Sequence, residues 1–368
     1  MTRVFIIGAK RSAVVPRGGA FAEYALHDIA APVIIECLKA AGIAPIQVDE
    51  LIAGNALGAG GNPARHVALA AGLPEHVAGL TLDRQCCGGL DALNLADALV
   101  RSGQANVVIA GGVESYSRAP IRHETFADGR PPRPYLQARF TPWPDRDPAM
   151  HDAAATLARR LGISRADQDA WAISSHQKAL AAQSRMSQEI TPINGQNVDP
   201  FARTLTGAIT ARAKPLSGSI TAANTSVAAD AAAFCLVVSE DIAKTYDGPK
   251  AEIVAGCTLG DTPDMPGLAP IKAIKRALRH AQVTAEQLAV SEIMEAYAVQ
   301  AMACVQGAGL DEARVNIGGG SLARGHPIGA SGAINAVRLF HELTKTGGHG
   351  LAAIAAAGGL GTSMILRA

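Results

Sequence analysis

Residues 81–92, TLDRQCCGGLDA, decide how the rest of the chain is read. An apolar run ends in a polar turn, a cysteine pair and two glycines, and an amphipathic stretch follows in which Leu93, Ala96 and Val100 recur at helical spacing. The pattern predicts a strand, a tight elbow and a helix, with residues 107–112, VVIAGG, as the next buried strand. Cys86 then sits at the helix N-terminus, where unpaired N–H groups and the positive end of the macrodipole favour a thiolate, the nucleophilic form of cysteine. Gly88 and Gly89 leave no side chain beside the sulfur, so a carbonyl could approach the backbone closely.

Composition sets the outer bounds. A chain of 368 residues with 48% hydrophobic but only 4% aromatic content builds its core from Ala, Val, Leu and Ile and is long enough for two or three domains. A net charge of +1 points to neither nucleic acid nor a membrane surface as partner. The six cysteines lack the spacing of a disulfide scaffold, and no apolar run reaches the length of a membrane span or a signal peptide. A cytoplasmic protein is the expectation.

The flanking segments continue the alternation. Residues 4–7 read as a buried strand, 28–41 as a helix stopped by Gly42, and 48–57 as a strand leading into the glycine-rich turn 58–61. Alternating β and α units imply a largely parallel sheet covered by helices. Residues 119–148 carry seven prolines and predict an irregular surface excursion. Helical periodicity returns over 153–161 and again after Ser164, whose Ser-x-x-Asp pattern resembles a capping box. Residues 187–219 read as a mobile polar insertion and 231–238 as a buried strand. From 252 onward the order of the first part repeats, with a strand over 314–317, a glycine-rich turn, a helix carrying Ile334, Val337 and His341, and an apolar run over 351–357. The expectation is an α/β fold of two similar halves with the middle segment inserted in the first.

The second chemistry-bearing stretch is residues 318–332, GGGSLARGHPIGASG, in which His326 lies between a glycine and Pro327 and so projects from a loop before a helix. A dinucleotide loop is a competing reading, since Gly318, Gly320 and Ala323 fit G-x-G-x-x-A, but the Gly-His-Pro interruption falls where that helix should begin. Metal ligation has no support, because Cys86 and Cys87 are adjacent and no His-x-x-x-His pair exists.

Taken together, RQCCGGLDAL, VVIAGGVES, ISRADQDAWAISSHQKA, TAANTS and GGGSLARGHPIGASG resemble, in order, the nucleophile motif, the following strand and turn, the loop-domain helix, the coenzyme A loop and the histidine motif of the thiolase superfamily. The resemblance implies duplicated β/α domains in a layered structure, residues 1–118 with 229–247 and residues 248–368, with a loop domain at 119–228. It also implies homodimers or homotetramers. Its substrate would be a coenzyme A thioester, with no permanently bound cofactor or metal. By the same resemblance Cys86 is the cysteine acylated by acyl-CoA and His326 its base. The backbone N–H groups of Cys86 and Ala357 form the oxyanion hole, and Ser226 and Met150 contact the pantetheine arm.

Departures from the pattern matter as much. The family's second cysteine, which handles the α-proton, is Ala355 here, and the asparagine of Asn-Glu-Ala-Phe is Met294, in Met294-Glu295-Ala296-Tyr297. Asp83, Ala149 and Val227 also differ from the pattern. A positioned acid/base is worth about 10²–10⁴ in rate. The expectation is therefore acyl transfer through Cys86 with impaired carbon–carbon bond making and breaking, unless Cys257, Cys87 or His349 replaces the missing group. Two other functions remain open: a non-catalytic acyl-CoA-binding or partner subunit, and a thioesterase-like hydrolase.

Overall fold

The structure is a computed structural model and describes residues 2–368. The first half runs β1 (Val4–Arg11), α1 (Leu26–Ala41), β2 (Glu50–Gly54), α2 (Pro63–Ala70), β3 (Leu80–Leu82), α3 (Gly88–Arg101) and β4 (Val107–Glu114). Helices α4 (Met150–Leu161) and α5 (Arg165–Met186) follow, before the chain returns to the sheet as β5 (Ala229–Ser239). The second half runs β6 (Ala251–Gly260), α6 (Ala269–Ala281), β7 (Leu288–Ile293), α7 (Ala298–Ala308), α8 (Ile328–Thr346), β8 (His349–Ala356) and β9 (Leu360–Arg367). Nine strands line up in the order β7-β8-β9-β6-β1-β5-β4-β2-β3, and Val15–Pro16 pairs alongside β5.

Strand sense exposes the duplication. In the first half β2 runs parallel to β4, while β4–β5 and β5–β1 are antiparallel. In the second half β7 runs parallel to β8, while β8–β9 and β9–β6 are antiparallel. The two halves join where β1 meets β6, antiparallel. The sheet is thus mixed, where simple alternation predicts mostly parallel pairs. The two-residue period of a strand explains how it is covered on both faces. Val108, Ala110, Val237 and Ile354 face one apolar cluster with Leu90, Leu93 and Ala96 of α3 and Ala333, Val337 and Phe340 of α8. Their neighbours Val107, Ile109 and Leu236 face α1, and Leu351 and Ala353 face α6 and α7. Helices α3 and α8 therefore lie in a middle layer shared by both halves, which is why α8 is buried on nearly every side.

Local expectations fare unevenly. Gly42 ends α1 at φ +66°, and Ser164 and Asp167 make the reciprocal capping bonds that open α5. Residues 119–148 are mostly irregular, with one short pairing of Arg122–Glu124 and Arg133–Tyr135. The strand expected over 314–317 is not there. Glu312–Arg314 form a 3₁₀ turn, Val315 makes one isolated bridge to Ser291, and Asn316 has φ +47°. The strand of this region is β7, 26 residues earlier by start position (314 − 288), in LAVSEI. The polar segment 187–219, expected to be mobile, is anchored to the core at Glu189 and Asp199, whose carboxylates pair with the fully buried Arg11.

Candidate active site

The elbow that carries Cys86 forms because β3 stops short. After Leu82 the chain turns through Gln85, which holds φ +45°, and a single 3₁₀ turn, Gln85–Cys87, leads into α3. A left-handed conformation at a non-glycine residue is uncommon and marks a tightly specified turn. It sets Cys86 on the wall of a cavity of about 680 Å³, with its sulfur beside the start of α8. The other half delivers His326 by a matching device. Gly325 takes φ +119°, a backbone open only to glycine, and Pro327 caps α8. The His326 N–H donates to the Val227 carbonyl at 2.7 Å, and residues 225–228 bridge Tyr297 on one side and His326 on the other.

The two stretches meet because nothing larger than hydrogen separates them. A Cβ on Gly89 would lie 2.7 Å from the Gly329 carbonyl oxygen, and one on Gly332 would lie 2.6 Å from the Leu90 nitrogen, both backbone atoms. The N-terminal turns of α3 and α8 thus touch main chain to main chain. Across this contact Cys86 Sγ lies 3.1 Å from His326 Nε2, and His326 Nδ1 lies 2.7 Å from Ser331 Oγ, one turn into α8. Glu114, at the end of β4, ties both halves together: its carboxylate accepts from the N–H groups of Ala56, Leu57 and Gly329 and from Asn55 Nδ2. Burial pushes its carboxyl up to about 7 against these donors.

The protonation of the pair differs from the expected resting thiolate. Burial pushes the Cys86 thiol up to about 12, and nearby Glu114 and Asp83 add to the effect while the residue's own backbone N–H opposes it. Burial also holds His326 down at about 4. Desolvation outweighs the helix terminus, so the pair rests as neutral thiol and neutral imidazole. Such a pair can pass the thiol proton to Nε2 as the sulfur attacks a carbonyl, with Ser331 holding the ring in place.

Residues matching "Thiolase, N-terminal domain" run from 4 to 241, and those matching "Thiolase, C-terminal domain" from 248 to 368. The chain belongs to the thiolase family. It is 38% identical over 397 residues to an acetyl-CoA acetyltransferase of Pseudomonas aeruginosa, covering 100% of this chain and 99% of the relative. It superposes with a TM-score of 0.92 on the crystal structure of human mitochondrial 3-ketoacyl-CoA thiolase in complex with CoA, at 30% identity and 100% and 98% coverage. The Bacillus anthracis acetyl-CoA acetyltransferase gives the same score, at 32% identity and 100% and 99% coverage. The protein is an acyltransferase of thiolase type.

In this thiolase the remaining sequence-derived positions divide. Ser226, Met150, Ala355 and Ala357 line the same cavity as Cys86 and His326. The Ser226 hydroxyl donates to the Glu295 carbonyl and lies 3.2 Å from Ser321 Oγ. Met294 is buried in the core with its N–H on the Ala353 carbonyl and does not reach the cavity wall. None of the three candidates for a replacement acid/base lines the cavity. Cys87 points its thiol at the Ile354 carbonyl, 3.6 Å away. Cys257 faces α6. His349 begins β8, six residues and about 20 Å of strand from Ala355. Among the described residues no cluster of His, Cys, Asp or Glu could hold a metal ion, and no helix is long and apolar enough to cross a membrane.

Sequence reasoning missed three cavity residues that can exchange or donate a proton: Tyr116, His151 and Tyr297. Tyr297 Oη lies 3.0 Å from His151 Nδ1, with the rings edge to face at 5.6 Å. The one signal in the sequence was tyrosine standing where the family motif ends in phenylalanine.

Proposed function

We propose that this chain transfers an acyl group from acyl-CoA to an acceptor through an acyl-Cys86 intermediate and carries out ordinary thiolysis poorly. The observation that carries this reading is the 3.1 Å contact between Cys86 Sγ and His326 Nε2 on a cavity whose wall at position 355 ends in a methyl group. In the first half-reaction Cys86 Sγ attacks the thioester carbonyl and its proton passes to His326 Nε2. The backbone N–H groups of Cys86 and Ala357 hold the developing oxyanion, a contribution of about 3–4 kcal/mol per donor in comparable enzymes. The C–S bond to coenzyme A breaks, and the leaving thiolate takes the proton from His326. Ser226 and Met150 flank the pantetheine arm.

An acceptor bearing an S–H, O–H or N–H can reverse these steps with His326 alone. A carbon acceptor needs a second base for its α-proton, and neither Ala355 nor the withdrawn Met294 is one. The division of the chain into residues 1–118 with 229–247, a loop domain over 119–228 and residues 248–368 is part of the same reading. So is assembly as a homodimer or homotetramer in the cytoplasm, which the unpaired edge of β3 would serve.

The test is mass spectrometry of the protein after incubation with short and long acyl-CoAs. An acyl adduct on Cys86, lost in Cys86→Ala, together with acetoacetyl-CoA thiolysis at least 10²-fold below that of an ordinary thiolase, is the expected result. Binding without an adduct would favour a non-catalytic subunit, free acid released without acceptor would favour a thioesterase, and brisk thiolysis would refute the impairment.

A further inference from the structure

We propose that Tyr297, backed by His151, is a relocated second proton-handling pair of this cavity and that whatever carbon–carbon chemistry the protein retains runs through it. The inference rests on the reading of Cys86 as the acylated residue and extends it to the acceptor.

The pair stands out against its surroundings. Tyr297 caps α7 and belongs to an apolar cluster with Met150, Ala154, Leu157 and Met265, in a place where a bare phenyl ring would pack as well. Its hydroxyl nevertheless reaches His151 Nδ1 at 3.0 Å, from α7 across to α4, while its backbone is fixed by the bridge to Thr225. Tyr297 is 8% exposed, whereas His151 opens to solvent. A path from the cavity wall to bulk water therefore needs only these two side chains. Burial raises the phenol well above its ordinary value, and Cys86 adds to the shift, so the hydroxyl stays protonated in the cavity that Cys86 also lines. A protonated hydroxyl between a substrate and a solvent-exposed imidazole is the arrangement a proton relay requires. A transacylase using only heteroatom acceptors has no need of it, because His326 closes that cycle.

With His151 in its Nε2–H tautomer, Tyr297 donates to Nδ1. In the proposed step the α-C–H bond of the acceptor thioester breaks and its proton goes to Tyr297 Oη as the phenolic proton moves to His151 Nδ1. The electron pair of the broken bond becomes the enolate. The α-carbon then attacks the acyl carbonyl and the C–S bond to Cys86 breaks. The Cys86 thiolate is reprotonated from solvent by way of His326, and His151 returns its proton to solvent, so no other reactant is consumed.

The experiment reads the proton transfer itself. Acetyl-CoA is incubated in deuterium oxide with the full-length protein, with Tyr297→Phe and with His151→Asn. Deuterium entry at the α-carbon is followed by mass spectrometry, beside the rate of Cys86 acylation in each sample. The expected result is measurable exchange in the parent protein that falls at least tenfold, relative to acylation of the same sample, in both variants. Loss of folding alone would lower both rates together. Absence of exchange in the parent protein, or exchange that keeps pace with acylation in either variant, would overturn the relay while leaving acyl transfer standing. Failure to acylate Cys86 in the parent protein would remove the reading beneath it and the relay with it.

Discussion

At the scale of single residues, the neutral Cys86–His326 pair has a direct pH signature. Burial holds His326 at about 4, so its imidazole remains a base well below the pH at which an exposed histidine is protonated. Acylation of Cys86, followed by stopped-flow release of coenzyme A, should show its acid limb near pH 4, not 6.5. Alkylation of Cys86 by iodoacetamide should keep rising above pH 9, because burial keeps the thiol protonated up to about 12. His326→Ala should slow acylation by about 10²–10⁴, the usual worth of a positioned base. Ala355 gives a gain-of-function counterpart. It lines the cavity with Cys86, so Ala355→Cys returns a thiol to that wall and should raise acetoacetyl-CoA thiolysis by at least tenfold without raising the rate of Cys86 acylation. The sequence made Cys86 and His326 legible because each is flanked by glycines that permit close approach or, at Gly325, a backbone no other residue adopts. It misled on their ionisation, since a helix-terminus argument sees the dipole and not the burial. Tyr297 and His151 lie 146 positions apart, and no periodicity marks either one, so their pairing emerges only when α4 is laid against α7.

At the scale of elements, the site depends on how closely α3 and α8 approach. Gly332→Ala would place a methyl group 2.6 Å from the Leu90 nitrogen, a main-chain atom that cannot swing aside. Overpacking of this kind costs about 1–3 kcal/mol. It would also push the start of α8 from the elbow, so Gly332→Ala should lower the urea midpoint and slow Cys86 acylation together, whereas an exposed α8 change such as Lys345→Ala should do neither. The duplicated β/α order was readable because glycine-rich turns and apolar runs recur in both parts. β7 was not. LAVSEI mixes polar and apolar residues and pairs with a single strand, β8, while the expected strand at 314–317 makes one bridge to it and is turned aside by the left-handed Asn316. Tertiary pairing, which no local window contains, decides between such segments.

For the whole molecule, a buried ion cluster fixes the inserted segment to both halves. Glu189 pairs with Arg11 of β1 at 2.7 Å and with Arg338 of α8, and Arg11 also pairs with Asp199 at 2.8 Å. Burial opposes ionisation of Glu189, but Arg338 and Arg11 outweigh it and hold the carboxyl at about 2. A carboxyl depressed in the folded state contributes stability that is complete above its unfolded value, near 4.5, and lost as pH falls through its folded one. Acid unfolding monitored by circular dichroism should therefore steepen between about pH 4.5 and 2, and Glu189→Gln should flatten that window. Removing one member of such a buried cluster costs up to about 3–5 kcal/mol, because Arg11 and Arg338 each lose one buried counter-charge and keep only Asp199 and Glu342. Denaturant titration at pH 7 measures that loss. The expectation of a loosely attached insertion failed here for a simple reason: Arg11, Glu189 and Arg338 are polar letters in the sequence and look like surface until the fold brings them together.

The main-chain crossing of α3 and α8 has one more outcome. Since the sulfur is encoded upstream and its imidazole neighbour downstream, each portion alone carries only half of the Cys86–His326 contact, and on the proposed reading neither should acylate at the rate of the whole chain. Two separately expressed pieces, cut in the linker between β5 and β6, would reach that rate only on reunion, which turns a covalent mark on one atom into a gauge of assembly.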